Sequence, residues 1–236
     1  MSAPLVLLPD IMCDARLFAV QIMALSVDHA VMVAPVTGDG RVEAMAAGLL
    51  GKLPVRFALA GIGFGGIVAM DILRQAPDRV ERLCLMGTSP LPDTPDMAAA
   101  REPLIIRAQS GRLAEVLEEV IGPDWFAPGP ARIEFQRYVH QIALELGPDI
   151  FVRQMRALQR RRDQQATLRR CRAPALILCG AEDTVTPMRR HSFMAELIPG
   201  ARLQVIEQAG HLIPVEQPEA MTQVLRDWLN SPPRTV

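Results

Sequence analysis

Short apolar runs alternate with longer stretches whose apolar positions recur at helical spacing. "PLVLLP" (4–9) is followed by a helical pattern over 16–25, and "AVMVAPV" (30–36) by one over 42–53. "RFALAG" (56–61) leads into a helical 65–75 that Ala76-Pro77 ends, and then comes "VERLCLMG" (80–87). Continuous apolar runs of this length predict strands buried on both faces, as in a parallel sheet built from β-α-β crossovers.

Between about 90 and 168 the alternation stops. Helical patterns at 97–109, 111–121, 131–146 and 148–162 are punctuated by Pro, Gly and Asp. The rhythm then resumes with "PALILCG" (174–180), a helix near 187–197, "RLQVIE" (202–207) and a last helix at 217–229. The expected fold class is α/β, with three layers, about six mainly parallel strands and an inserted helical segment. The core would be 1–89 and 169–236, and the insertion 90–168. The tail "SPPRTV" is expected to fray.

The 236 residues suffice for one full-sized α/β domain, and 50% of them are hydrophobic. A formal charge of −1 gives no general attraction to nucleic acid. No apolar stretch approaches the length of a membrane helix, and "MSAPLVLLPD" lacks the basic start of a signal peptide. Cys13, Cys84, Cys171 and Cys179 form no metal pattern, and Cys84 and Cys179 fall inside strand-like runs. A cytoplasmic protein without metal or cofactor is expected.

The segment "AGIGFGG" (60–66) admits two readings. As G-x-G-x-x-G it is a dinucleotide loop, but that loop belongs after the first strand, with an acidic residue about 20 positions on. Here it follows the third strand, and the next strand ends in Met86-Gly87-Thr88-Ser89 without a carboxylate. As G-x-S-x-G it is a strand-to-helix turn that carries a nucleophile, with glycine in the serine's place. This reading also requires an acid and then a histidine further along. "LCGAEDTVTP" and "EQAGHLIPVEQP" supply them, each just past a strand-like run.

With those three motifs in that order the chain resembles the α/β-hydrolase superfamily, in its branch of small cap-bearing esterases and lactonases. The resemblance implies Gly63 at the nucleophile position, Asp183 as orienting acid and His211 as general base. Glu182 is the competing carboxylate. The resemblance also implies an oxyanion hole made by the backbone N–H groups of Phe64 and Ile11. In the first loop, "LLPDIMCDARLF", Asp10 stands where many relatives have glycine.

Glycine suits the strained, positive-φ conformation of such a turn but removes the attacking hydroxyl. Three explanations follow. A serine enzyme was altered at one position; or the His211–Asp183 pair acts on a water or a substrate proton without a covalent step, as in a lyase or a cofactor-free oxygenase; or the protein binds a ligand without turnover. Loss of the hydroxymethyl group would leave space that a water could fill. Ser89 and Cys13 are possible substitutes for the nucleophile, though neither sits on the turn that aims a side chain at the base.

The implied substrate is a small ester, lactone or thioester, and the 90–168 insertion would cap the strand ends where it binds. Trp125, Phe126, Tyr138 and Ser89 are the candidate substrate contacts, with Phe135, Phe151 and Met155 as further apolar wall. His140 is read as surface or cap structure. Arg153, Arg156, Arg160, Arg161, Arg162, Arg169 and Arg170 read as a solvated helix face rather than an anion-binding patch.

Overall fold

A computed structural model describes residues 3–231; the expected frayed tail beyond 231 lies outside them. Six strands form one sheet: β1 (Leu5–Leu8), β2 (Val31–Val33), β3 (Phe57–Ile62), β4 (Val80–Met86), β5 (Ala175–Gly180) and β6 (Arg202–Ile206). Their spatial order is β2-β1-β3-β4-β5-β6, and every pairing is parallel. β1, β3 and β5 are buried at every position, which explains their unbroken apolar composition.

The helices are α1 (Ala19–Leu25), α2 (Val42–Leu50), α3 (Phe64–Gln75), α4 (Pro95–Gln109), α5 (Leu113–Val120), α6 (Arg132–Leu146), α7 (Pro148–Gln159), α8 (Gln165–Arg169), α9 (Met188–Leu197), α10 (Ile213–Glu216) and α11 (Pro218–Asn230). α1 packs on α11, while α2, α3, α8 and α9 follow one another by contact, which gives three layers with the sheet between. The predicted helix over 16–25 begins as a 3-10 turn at Ala15–Phe18, whose start is held by the Asp14 side chain accepting from Arg16 N–H. The expected helix at 148–162 stops at Gln159, and the short α8 and α10 have too few turns to show a period.

Five helices, α4 to α8, lie between β4 and β5. α4 starts where Thr94 Oγ1 accepts from Met97 N–H, with Pro95 in the first turn. Two buried glutamines tie the inserted segment to the sheet domain. Gln154 on α7 accepts from Met12 N–H and donates to the Val36 carbonyl, each at 2.9 Å. Gln164 donates to Asp71 on α3 at 3.0 Å.

Candidate active site

The strand ends converge on Gly63, between β3 and α3, whose φ of +52° lies in the region that favours glycine. Gly63 N–H donates to the Met86 carbonyl at 2.9 Å, and Thr88 Oγ1 donates to the Gly63 carbonyl at 2.8 Å. The turn is thus pinned to the end of β4.

Asp183 follows β5 and His211 follows β6. Asp183 Oδ2 lies 2.9 Å from His211 Nδ1, and Asp183 Oδ1 accepts from Thr186 N–H at 2.8 Å. Glu182, the competing carboxylate, is exposed. His211 is fixed from three further directions. Its N–H donates to the Trp125 carbonyl at 2.6 Å, and its ring meets Trp125 edge-on, with centroids 4.7 Å apart. Glu216 accepts from the N–H groups of Gly210 and Leu212, at 2.9 and 3.1 Å, and from Ala127 N–H at 2.7 Å, joining the histidine loop to the inserted segment.

The space opposite His211 is filled. Asp10 reaches across from the end of β1, and its Oδ1 accepts from both Phe64 N–H and Ile11 N–H at 2.6 Å. Its Oδ2 forms an ion pair with His211 Nε2 at 3.0 Å. A carboxylate therefore lies against the histidine and in front of both expected oxyanion donors. Phe64 is the first residue of α3, where the helix dipole favours negative charge. A Cβ placed on Gly63 would fall 1.9 to 2.2 Å from the Asp10 carboxyl atoms. The room expected for a water belongs to Asp10 instead.

Burial disfavours the imidazolium of His211, but the charge of Asp183 and the contacts with Asp10 more than reverse it, and its pKa is pushed up to about 10. Burial pushes the Asp183 carboxyl up, and the charge and hydrogen bond of His211 outweigh this, leaving it below its ordinary value. At neutral pH the imidazole is a cation held between two carboxylates. Asp10 adds to the hold of Asp183 on that proton, which is lost as the pH approaches 10.

A cavity of about 420 Å³ opens onto this group and is lined by Asp10, Gly63, Phe64 and His211. Trp125, Met155 and Ser89 also line it, as do Ile67, Leu91 and Leu158. Phe126 and Tyr138 do not. Phe126 turns into the core, stacked on Phe135 at 6.3 Å, and Tyr138 points outward to donate to the Arg16 carbonyl at 2.9 Å. Cys13 is buried away from the cavity lining, and burial raises its thiol well above its usual range, so a thiolate there is disfavoured. Phe151 is fully buried, and His140 bonds the Ile121 carbonyl at 2.9 Å.

Of the arginines read as a solvated face, Arg156 pairs with Glu102, Arg162 with Glu43, and Arg153 bonds the carbonyls of Thr37 and Gly38. Arg161 instead turns inward and lines the cavity. Asp10 as an occupant of the site, and Glu216 and Gln154 as supports, were not marked by the sequence. The one available signal was a carboxylate in the first loop, at the place where the family resemblance implies glycine. No group of three or more His, Cys, Asp or Glu residues suited to a metal ion occurs among the described residues.

A parallel sheet with a strand-to-helix turn, an acid and a histidine on successive strand ends is the arrangement of the α/β hydrolases. The chain belongs to the alpha/beta hydrolase family, whose pattern it matches over residues 19–224. It is similar to the pimeloyl-acyl-carrier-protein methyl ester esterase of Aromatoleum aromaticum, with 30% identity over 205 residues and 78% of each chain covered. It is also similar to the RutD protein of Pseudomonas savastanoi pv. phaseolicola, with 28% identity over 235 residues, covering 92% of this chain and 90% of the relative. Among solved structures, the malate-bound thermophilic esterase of Thermogutta terrifontis superposes with a TM-score of 0.88 at 27% identity, covering 97% of this chain and 90% of that one. Such relatives support a hydrolase function.

Proposed function

We propose that this chain is built to hydrolyse carboxylic ester, lactone or thioester bonds of small molecules, and that it does so weakly as it stands. His211 is the base, Asp183 holds its tautomer, and the N–H groups of Phe64 and Ile11 receive the oxyanion once Asp10 swings aside. The helical insertion 90–168 acts as the cap over the substrate. The observation that carries this reading is the convergence of those two N–H groups on one oxygen, next to an imidazole backed by a carboxylate. The relatives named for ester hydrolysis support it.

With Gly63 no seryl intermediate forms. A water attacks the carbonyl, His211 takes its proton, and the tetrahedral oxygen gains negative charge in the hole; the intermediate then collapses to the carboxylic acid, the acyl C–O or C–S bond breaks, and His211 returns the proton to the leaving alcohol or thiol. A site without its nucleophile typically keeps about 10³–10⁴-fold acceleration over water from binding and the oxyanion hole. Asp10 lowers this further, because it holds both donors and keeps His211 protonated. Gly63 and Asp10 thus act as a matched pair: glycine makes room and aspartate fills it. This tells against the change of a single residue in an otherwise ordinary serine enzyme.

Rates on short chromogenic esters in four forms test the proposal: the chain itself, Asp10→Gly, Gly63→Ser and the double variant. Asp10→Gly is expected to exceed the parent modestly, and Gly63→Ser to stay poor because the serine meets Asp10. The double variant is expected to show burst kinetics and the highest turnover. A folded double variant no faster than the parent would defeat the proposal.

A further inference from the structure

Three arginines line the same cavity as Gly63: Arg101 from α4, Arg161 from the segment after α7, and Arg190 from α9. Their counter-charge is short. Arg101 and Arg161 share one carboxylate, Asp93, whose side chain has 0% exposure and does not line the cavity. Arg101 Nε lies 2.6 Å from Asp93 Oδ2, and Arg161 Nη2 lies 3.0 Å from Asp93 Oδ1. Arg190, half-buried, has no side-chain hydrogen bond or ion pair among the described residues. The wall therefore presents three cations against one buried anion. The other charged groups that line the cavity, Asp10 and His211, are already paired with each other.

The excess positive charge is felt within the wall. Burial pulls the Arg161 guanidinium below its ordinary pKa, and the positive charges of Arg101 and Arg190 add to that pull against Asp93. Charged groups out of bulk water are stable only when paired. The rest of the wall mixes apolar side chains, Leu91, Met97 and Leu158 among them, with the hydroxyl residues Thr88, Ser89, Thr94 and Thr186, so the cavity combines an aliphatic surface with a cationic patch.

We infer that this patch holds a carboxylate on the far end of the substrate, so that the natural substrates are acyl compounds carrying a second, ionised carboxyl group. A planar guanidinium matches a carboxylate through two parallel N–H donors, and Arg190 has its donors uncommitted. The inference rests on the hydrolase reading for what the scissile end does, but the anion site is tested by binding alone.

The experiment is calorimetric titration of the chain as it is, at low ionic strength, with monomethyl and dimethyl esters of succinate, adipate and suberate. Charge-assisted hydrogen bonds predict that the best monoester binds about tenfold or more tighter than its uncharged diester. Arg190→Gln, which breaks no observed contact, is expected to bring the ratio close to one, and Arg190→Glu to favour the diester. Equal binding of mono- and diesters by the parent would overturn the inference. So would a ratio unchanged in Arg190→Gln, which would place the carboxylate elsewhere, such as in the hole held by Asp10. A preserved ratio beside an inert double variant would overturn the hydrolase reading and leave the anion site standing.

Discussion

Replacing Gly63 by alanine tests the contact between the Asp10 loop and the turn before α3, whose Phe64 N–H bonds Asp10 from 54 positions away, without any reference to catalysis. An added methyl would sit 1.9 to 2.2 Å from the Asp10 carboxyl, whereas ordinary contact begins near 3.4 Å. Asp10 must therefore move. It then gives up two hydrogen bonds to N–H groups and its ion pair with His211. Hydrogen bonds to a charged group contribute about 1.5–3 kcal/mol each, so the displacement costs about 3–6 kcal/mol. Strain at a positive φ adds about 1–3 kcal/mol for a residue with a side chain. In an Asp10→Gly background only the strain remains. Urea unfolding of the four forms is expected to show the summed single effects exceeding the double by about 3 kcal/mol or more. That figure is the lower end of the range, because the displaced carboxylate regains water in the cavity. A coupling below about 1 kcal/mol would refute the packing of Asp10 against Gly63.

Two further outcomes follow from the same geometry. His211 titrates near 10 in the folded protein against 6.5 for a free imidazole, so its two ion pairs contribute fully below about pH 6.5, and that contribution is lost as the pH rises toward 10. Asp183 has the opposite sign: its contribution is present above 3.8 and falls away in acid. Urea midpoints measured across pH should decline above 6.5 in the parent and much less in His211→Asn; parallel profiles would contradict the ion pairs. Glu216→Ala strips the acceptor from three N–H groups and, at about 1.5–3 kcal/mol for each bond, is expected to lower unfolding free energy by about 4 kcal/mol or more, measured by urea denaturation. A loss below about 1 kcal/mol would mean that Glu216 does not hold the histidine loop.

The sheet was legible chiefly because β1, β3 and β5 are buried at every position, so their apolar runs are unbroken, whereas β2 and β6 are partly exposed and were read from their place in the alternation. His211 and Asp183 were legible through chain order and their places just past strands. The Asp10 plug was not, because it depends on the first loop crossing to a turn that lies far along the chain. Nor was the arginine wall: Arg101, Arg161 and Arg190 come from three segments with no common spacing, and Arg161 differs from its exposed neighbours only in direction. Phe126 and Tyr138 fit an apolar pocket by composition. Aromatic character predicts burial or a polar tip, however, and says nothing about which side of a helix or turn faces a cavity.

The most direct test is intact-mass analysis after exposure to a serine-directed fluorophosphonate. The account predicts one adduct per chain on the double variant Asp10→Gly/Gly63→Ser, little on Gly63→Ser alone, and none on the parent. A well-folded double variant that stays unlabelled, or a single Gly63→Ser variant that labels as fast as the double, would contradict it.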